Sequence, residues 1–242
     1  MTGYTDGGNT ANNATYTYGA DGLRTSKTVN GTKTTYIWSG GNIVAEITGS
    51  KYTVYLYGLN RISRGIIGTK YAKSGTAYDR YHELYLYDGH GNVVQTADEG
   101  ITDYMNAVHY GTYGNVVPEM DINGDDRIDL SDLMHFLNHY PIINSYHYDA
   151  FGNQLDENTP SNTNPFRYCG EYWDKETGDI YLRARYYNPT AGRFTTVDPA
   201  MDGVNWYVYC KGNPISFVDP WGLKIYLPET DTGRKEWNCG QR

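Results

Sequence analysis

The stretch DINGDDRIDLSD carries the densest chemistry in the chain. Asp121, Asn123, Asp125, Arg127, Asp129 and Asp132 occupy positions 1, 3, 5, 7, 9 and 12 of a twelve-residue loop. Calcium is a hard cation that takes about six to eight oxygen ligands. Side chains at alternate positions of a tight loop converge on one point, position 7 gives only its backbone carbonyl, and position 12 closes the site. Arg127 suits position 7 because its side chain can face water. Ile128 is the expected apolar anchor, and Leu133, Phe136, Leu137 and Tyr140 follow at helical spacing, so a helix with one apolar face should leave the loop. Two positions depart from the EF-hand pattern: Asp126 stands where Gly is usual, and Asp132 reaches less far than Glu. His135 and His139 are spaced i, i+4 on that helix, a chelating interval with no third ligand visible nearby.

A second set of reactive groups lies toward the C-terminus. Asp198-Pro199 and Asp219-Pro220 place carboxyls directly before prolines, a pairing that by itself starts turns. Cys169, Cys210 and Cys239 have no metal-ligand spacing, and three thiols in 242 residues do not make a disulfide scaffold, so buried or free thiols are expected.

The elements that must position these groups are read from the tyrosines. The chain has 26 tyrosines and 28 glycines against five Phe and five Trp. Tyr favours strands and Gly serves turns, so the protein should be mainly β with many short connections. Alternating runs such as Thr53-Val54-Tyr55-Leu56-Tyr57 and Glu83-Leu84-Tyr85-Leu86-Tyr87 mark half-buried strands. Turn units follow them: Tyr18-Gly19-Ala20-Asp21-Gly22, Tyr87-Asp88-Gly89-His90-Gly91-Asn92, Tyr110-Gly111-Thr112-Tyr113-Gly114-Asn115 and Tyr148-Asp149-Ala150-Phe151-Gly152-Asn153. Most units lie about twenty residues apart, a period of repeat architectures. An ordinary β-barrel would also fit so loose a period, but the Tyr-Asp/Gly-x-x-Gly-Asn unit recurs. Individual tyrosines read as β-core rather than ligands. His109–Val116 is echoed by His147–Gln154, so the intervening Pro118–Ser145 reads as a module inserted between two adjacent hairpins. Asp156–Pro165 reads as a polar linker.

Formal net charge is −8 and no basic run exists, which argues against a nucleic-acid partner. No apolar run is long enough to span a membrane as a helix, and the segment beginning Met1-Thr2-Gly3 has neither a basic start nor an apolar core, so no signal peptide is expected.

The segment from Tyr168 to Leu223, YCGEYWDKETGDIYLRARYYNPTAGRFTTVDP followed by NWYVYCKGNPISFVDPWGL, resembles the repeat-associated core of Rhs/YD-repeat proteins. The tyrosine units resemble the YD repeats that coil hairpins into a hollow shell in that family. The resemblance implies a mainly β YD-repeat shell fragment with a small inserted calcium-loop/helix module. It divides the chain into YD hairpins at 1–117, the insert at 118–145, the core at 146–223, and a truncated effector stub at 224–242. It implies a structural shell and plug segment of a secreted or surface toxin-delivery protein, whose partners are the rest of the shell and its effector.

The same resemblance implies an intramolecular aspartyl autoprotease that cuts after the Leu of DPxGL. By motif, Asp198 and Asp219 are the catalytic pair, Arg193 orients or biases them, and Leu223–Lys224 is the scissile bond. Two adjacent carboxyls share a proton because both cannot ionise, which suits one as base toward water and the other as acid. Asp202 is a weaker candidate, and Asn188 stands where many relatives have Asp. Arg183, Arg185 and Glu171 read as arginine–carboxylate pairing within the plug. The calcium loop also resembles one half of a dockerin, with its partner-reading positions at Leu130 and Ser131. This second resemblance implies Ca2+ as cofactor and, as the alternative function, recruitment by a cohesin to a polysaccharide-degrading complex. No glycosidase site is recognised.

Overall fold

The computed structural model describes residues 2–8, 10–57, 61–67, 80–98, 142–159, 162–201 and 203–227. Ten strands pair antiparallel in chain order: β1 (Gly3–Tyr4), β2 (Ala14–Tyr18), β3 (Arg24–Val29), β4 (Thr32–Ser39), β5 (Asn42–Thr48), β6 (Lys51–Tyr57), β7 (Arg61–Ile67), β8 (Arg80–Tyr87), β9 (Val93–Asp98) and β10 (Ile142–Ser145). A second antiparallel sheet holds β11 (Tyr172–Asp174), β12 (Asp179–Leu182), β13 (Arg185–Asn188) and β14 (Arg193–Phe194). The mainly β architecture expected from the tyrosine pattern is the one observed. The described part of the expected insert is a strand: residues 142–145 form β10 and pair with β9.

Strand alternation puts one aromatic pair per hairpin on a single face. Tyr16, Tyr36, Tyr55, Tyr85 and Tyr146 are buried there. Tyr18, Trp38, Tyr57, Tyr87 and Tyr148, two residues on in each case, border the same core. The opposite face of β6 exposes Tyr52, Val54 and Leu56.

Each of four hairpins carries a register shift beside its second aromatic. The shift sets Tyr18 opposite Arg24, Trp38 opposite Ile43, Tyr57 opposite Arg61 and Tyr87 opposite Val93. Such bulges re-aim a side chain at a fixed point in the ladder. At Trp38, Tyr57 and Tyr87 the aromatic's polar tip reaches the preceding hairpin, and Tyr148, which has no such bulge, does the same. Trp38 Nε1 donates to the Arg24 carbonyl at 2.8 Å, and Tyr57 Oη to the Ile43 carbonyl at 2.8 Å. Tyr87 Oη donates to the Arg61 carbonyl at 2.9 Å, and Tyr148 Oη to the Val93 carbonyl at 3.0 Å. The hairpins after the first are thus each latched to the one before, whereas the Tyr18 and Tyr186 hydroxyls meet at 2.8 Å. The last latch joins residues on either side of 99–141, so the series resumes in step beyond that stretch.

The repeated turn has a definite mechanism. Asp88 Oδ1 accepts from the backbone N–H groups of His90 and Asn92, each at 2.9 Å, while its Oδ2 accepts from Asn92 Nδ2 at 2.8 Å. Asp149 repeats this with Phe151 and Asn153 at the same distances, 2.9, 2.9 and 2.8 Å. One carboxylate closes the loop on itself, as Asp does in Asx turns. The following glycine must take a left-handed conformation, with φ of 86° at Gly91 and 88° at Gly152.

The second sheet packs against the tyrosine face. Tyr36 stacks edge-on to Tyr172 at 5.6 Å, Tyr55 to Phe166 at 5.0 Å, and Trp38 to Tyr181 at 6.2 Å. Arg24, fully buried, donates to Asp174 at 2.5 Å, and Lys27 joins the same carboxylate at 2.9 Å. A second core lies within the segment 162–227, the plug, and gathers Tyr168, Ile180, Leu182, Tyr187, Phe194, Tyr209 and Val218. Cys169 and Cys210 are both buried in it, whereas Cys239 lies outside the described residues.

Candidate functional site

The two Asp-Pro aspartates meet at one arginine. Arg185 enters the plug on β13, where both faces of the strand are buried. Its Nη2 lies 3.2 Å from Asp198 Oδ2 and 3.7 Å from Asp219 Oδ2. Its Nε donates to the Gly222 carbonyl at 2.5 Å and its Nη1 to the Trp206 carbonyl at 3.2 Å. The guanidinium lies 3.6 Å over the Phe194 ring. One side chain therefore holds both carboxylates and the backbone just ahead of Leu223.

Asp219 faces the expected scissile bond directly. Its Oδ1 accepts from the Leu223 N–H at 3.0 Å and from the Lys224 N–H at 3.1 Å, and the latter nitrogen would leave if Leu223–Lys224 broke. Burial pushes the Asp219 carboxyl up to about 6, against the pull of the Leu223 N–H and of Arg185. Asp198 accepts from the Ala200 N–H at 2.8 Å, an Asx turn that fixes its carboxyl beside Arg185.

The glycine of the DPWGL motif is required by this packing. Gly222 has φ of 64°, and a Cβ there would lie 2.8 Å from the Leu182 carbonyl oxygen and 3.0 Å from the Arg185 nitrogen. The backbone can press against the β12–β13 turn only without a side chain. Trp221 fills the space beside Gly41, and its ring lies 5.2 Å from the Arg183 guanidinium. Arg183 also pairs with Glu171 at 2.7 Å and donates to the Gly41 carbonyl at 2.9 Å and to the Pro220 carbonyl. The motif is thereby tied to both the plug and the first sheet.

Arg193 is not part of the cluster. It is exposed on β14, with its guanidinium 4.4 Å over the Tyr207 ring. The position that meets both carboxylates is Arg185, which the sequence reading took as plug pairing only. A signal was available: Phe194 is the obvious core residue of its strand, and alternation then turns Arg193 outward. Asn188 donates to Asp179 at 2.8 Å, away from the Arg185 contacts. Asp202, His135, His139 and the calcium-loop residues Asp121, Asn123, Asp125, Arg127, Asp129 and Asp132 lie outside the described residues. Among the described residues no cluster of three or more His, Cys, Asp or Glu could hold a metal, and no helix is long and apolar enough to cross a membrane.

No protein-family model matches the chain. Over 88% of its length it is 30% identical to the tRNA3(Ser)-specific nuclease WapA of Bacillus spizizenii, of which it covers 8%. Over 89% of its length it is 29% identical to the tRNA nuclease WapA of Bacillus subtilis, of which it covers 9%. The solved TcdB2-TccC3-TEV structure superposes on 91% of this chain with a TM-score of 0.57 at 18% identity, and this chain covers 9% of it. The chain thus spans less than a tenth of the length of these relatives. The structural match shows the fold, and the matches together support the Rhs relationship suggested by the motifs.

Proposed function

We propose that this chain is the closing segment of an Rhs-type toxin-delivery shell, and that its plug cuts its own chain between Leu223 and Lys224. Kinship to much longer toxins supports the first part. One observation carries the second: Asp219, a carboxyl held partly protonated near neutrality by burial, touches the nitrogen of the proposed scissile bond while Arg185 joins it to Asp198.

In this reading Asp198 takes a proton from a water that attacks the Leu223 carbonyl carbon. Once the Leu223 carbonyl carbon is tetrahedral, the Lys224 nitrogen, which as an amide donates to Asp219 Oδ1, turns its lone pair toward that carboxyl and takes its proton as the C–N bond breaks. The products are a Leu223 carboxylate and a free amine on Lys224, and the acid and base exchange protons with solvent to reset. Arg185 holds the two carboxyls and the Gly222 carbonyl in one frame, which supplies orientation rather than proton transfer.

Intact mass spectrometry of the folded full chain at mildly acidic pH tests the proposal. A species ending at Leu223, absent from the Asp219→Asn and Asp198→Asn variants, is expected. A full-length mass that persists in the unsubstituted chain refutes cleavage by this segment.

We further propose that the loop from Asp121 to Asp132 binds Ca2+, on the strength of its oxygen-ligand spacing. Calorimetric titration of the full chain should release heat with calcium and lose it in Asp121→Ala. No heat in the unsubstituted chain would leave a bare acidic loop.

A further inference from the structure

Arg167 is buried, with only 2% of its surface exposed, yet among the described residues it forms no ion pair with a carboxylate. The buried arginines Arg24, Arg64 and Arg185 each have one, in Asp174, Glu83 and the Asp198/Asp219 pair. Arg61 also lacks one; its guanidinium lies 3.1 Å from the Phe166 ring centroid, and that of Arg167 lies 4.3 Å from the Tyr146 ring centroid. The partners of Arg167 are all neutral. Nε donates to the Asn164 carbonyl at 3.0 Å, Nη1 to Gln154 Oε1 at 3.1 Å and Nη2 to Asn158 Oδ1 at 3.2 Å. A guanidinium has about five N–H donors. Each terminal nitrogen of Arg167 therefore keeps one hydrogen without a partner among the described residues.

Arg167 also lines an open cavity of about 280 Å³ between the Asp149–Asn153 turn and the plug sheet. Trp173, Ile180 and Pro189 give that cavity an apolar wall, and the Arg167 guanidinium lies 5.2 Å from the Trp173 ring. Asp156 stands at the same cavity. A lone buried cation with unused, adjacent donors is matched by a single negative charge. A dianion such as phosphate would need further cations and would be repelled by Asp156. The apolar wall favours a ligand with a flat or branched carbon body, and the volume admits only a small one.

We propose that this cavity is a binding site for a small organic monocarboxylate, gripped by the free Nη1 and Nη2 hydrogens of Arg167 with its carbon body against Trp173. The site is separate from the Asp198–Asp219 pair and does not depend on self-cleavage.

The test is a fluorine NMR titration of the folded full chain with fluorobenzoate as probe. Saturable binding is expected, with no binding of the neutral fluorobenzamide and no displacement by inorganic phosphate. Gln154→Glu would place a carboxylate at Arg167 Nη1 and satisfy it internally, so probe binding should weaken about tenfold or more. Thr190→Trp, a change at an exposed position on the cavity mouth, should weaken it equally by obstruction, which keeps the test independent of any effect of Gln154→Glu on folding. Absence of saturable binding, displacement by phosphate, equal binding of the amide, or undiminished binding by both variants would each overturn the assignment.

Discussion

Tyr57→Phe isolates what the aromatic latch contributes. The Tyr57 hydroxyl donates to the Ile43 carbonyl at 2.8 Å and accepts from Arg61 Nε at 3.0 Å and Nη2 at 2.7 Å. Burial keeps this hydroxyl protonated by raising it above the usual tyrosine range, although Arg61 pulls the other way. The substitution keeps the ring and its packing and deletes one oxygen. Arg61, with 7% of its surface exposed, would keep its Nη1 bond to the Gly170 carbonyl at 3.1 Å and lose the acceptor for its other two nitrogens. A hydrogen bond to a charged group contributes about 1.5–3 kcal/mol, and a neutral one about 1 kcal/mol. Counting the two Arg61 nitrogens that share the oxygen as one charged bond, the expected loss is about 2.5–4 kcal/mol. Tyr87→Phe, which removes the bond to the Arg61 carbonyl and a weaker contact with the Arg61 side chain, should cost about 1 kcal/mol. Tyr52→Phe, on the opposite and exposed face of the same strand, should fall within about 0.5 kcal/mol of the unsubstituted chain. Urea unfolding of the full chain, followed by tryptophan fluorescence, measures all three. If Tyr57→Phe matched Tyr52→Phe, the latch would be a geometric coincidence and burial of the rings alone would hold the hairpins together.

The two equivalent turn glycines should respond differently to the same change. Gly91→Ala places a methyl in open space and meets only the strain of its left-handed backbone, about 1–2 kcal/mol. Gly152→Ala drives the methyl to within 2.5 Å of the Tyr168 ring, and overpacking adds about 1–3 kcal/mol, so urea midpoints of the pair should separate clearly. Asp219 should lower stability as pH rises from about 4 to about 6, and Asp179, whose carboxyl burial also pushes up to about 6, acts in the same direction. Asp219 ionises near 6 when folded against 3.8 as the reference, so across that window the folded chain binds more protons than the unfolded one. Asp219→Asn should reduce that slope in urea midpoints measured against pH while leaving the share of Asp179, and an unchanged slope would rule out Asp219 as a source. If Asp219 is the acid, the rate of appearance of the Leu223-terminated species should also decline above about pH 6 as that proton is lost.

Much of the fold was legible because tyrosine alternation and Asp/Gly turn chemistry are local signals. Tyr55 and Tyr57 against Val54 and Leu56 already state which face of β6 is inward. The Asp149 turn could be foreseen, since one carboxylate and one glycine suffice to build it. The site was half legible. Asp198 and Asp219 are marked by their prolines, but their meeting point is set by the plug's own packing, which no local pattern reports. Arg185 lies in a strand buried on both faces, where alternation carries no information, so its role could not be told from that of Arg183. The latches were invisible for a related reason. Their acceptors are backbone carbonyls fixed by bulges, and a carbonyl leaves no trace in the residue type.

A face built from repeated tyrosine pairs raises a problem of register. Successive hairpins present nearly the same apolar surface, so a plug recognising only aromatic rings could dock one hairpin out of step at little cost. The residues opposite the second aromatics break that degeneracy. They are Arg24, Ile43, Arg61 and Val93, at equivalent positions of four hairpins. Asp174 meets Arg24, and the Gly170 carbonyl meets Arg61. A one-hairpin slip would set Ile43 against Asp174, leaving a buried carboxylate and a buried guanidinium both without partners. Breaking a buried pair costs about 3–5 kcal/mol, far more than the pair contributes to stability when intact. The net balance at Asp174 agrees: burial pushes its carboxyl up, yet Arg24 and Lys27 outweigh that and hold it below the usual range. On this reading the buried charges disfavour a slipped docking, while the rings supply most of the buried apolar contact. A correctly seated plug is also the condition for the Arg183 contacts that tie the DPWGL motif to Gly41 of the first sheet. Register of the hairpins and geometry at Leu223–Lys224 are on this argument one property.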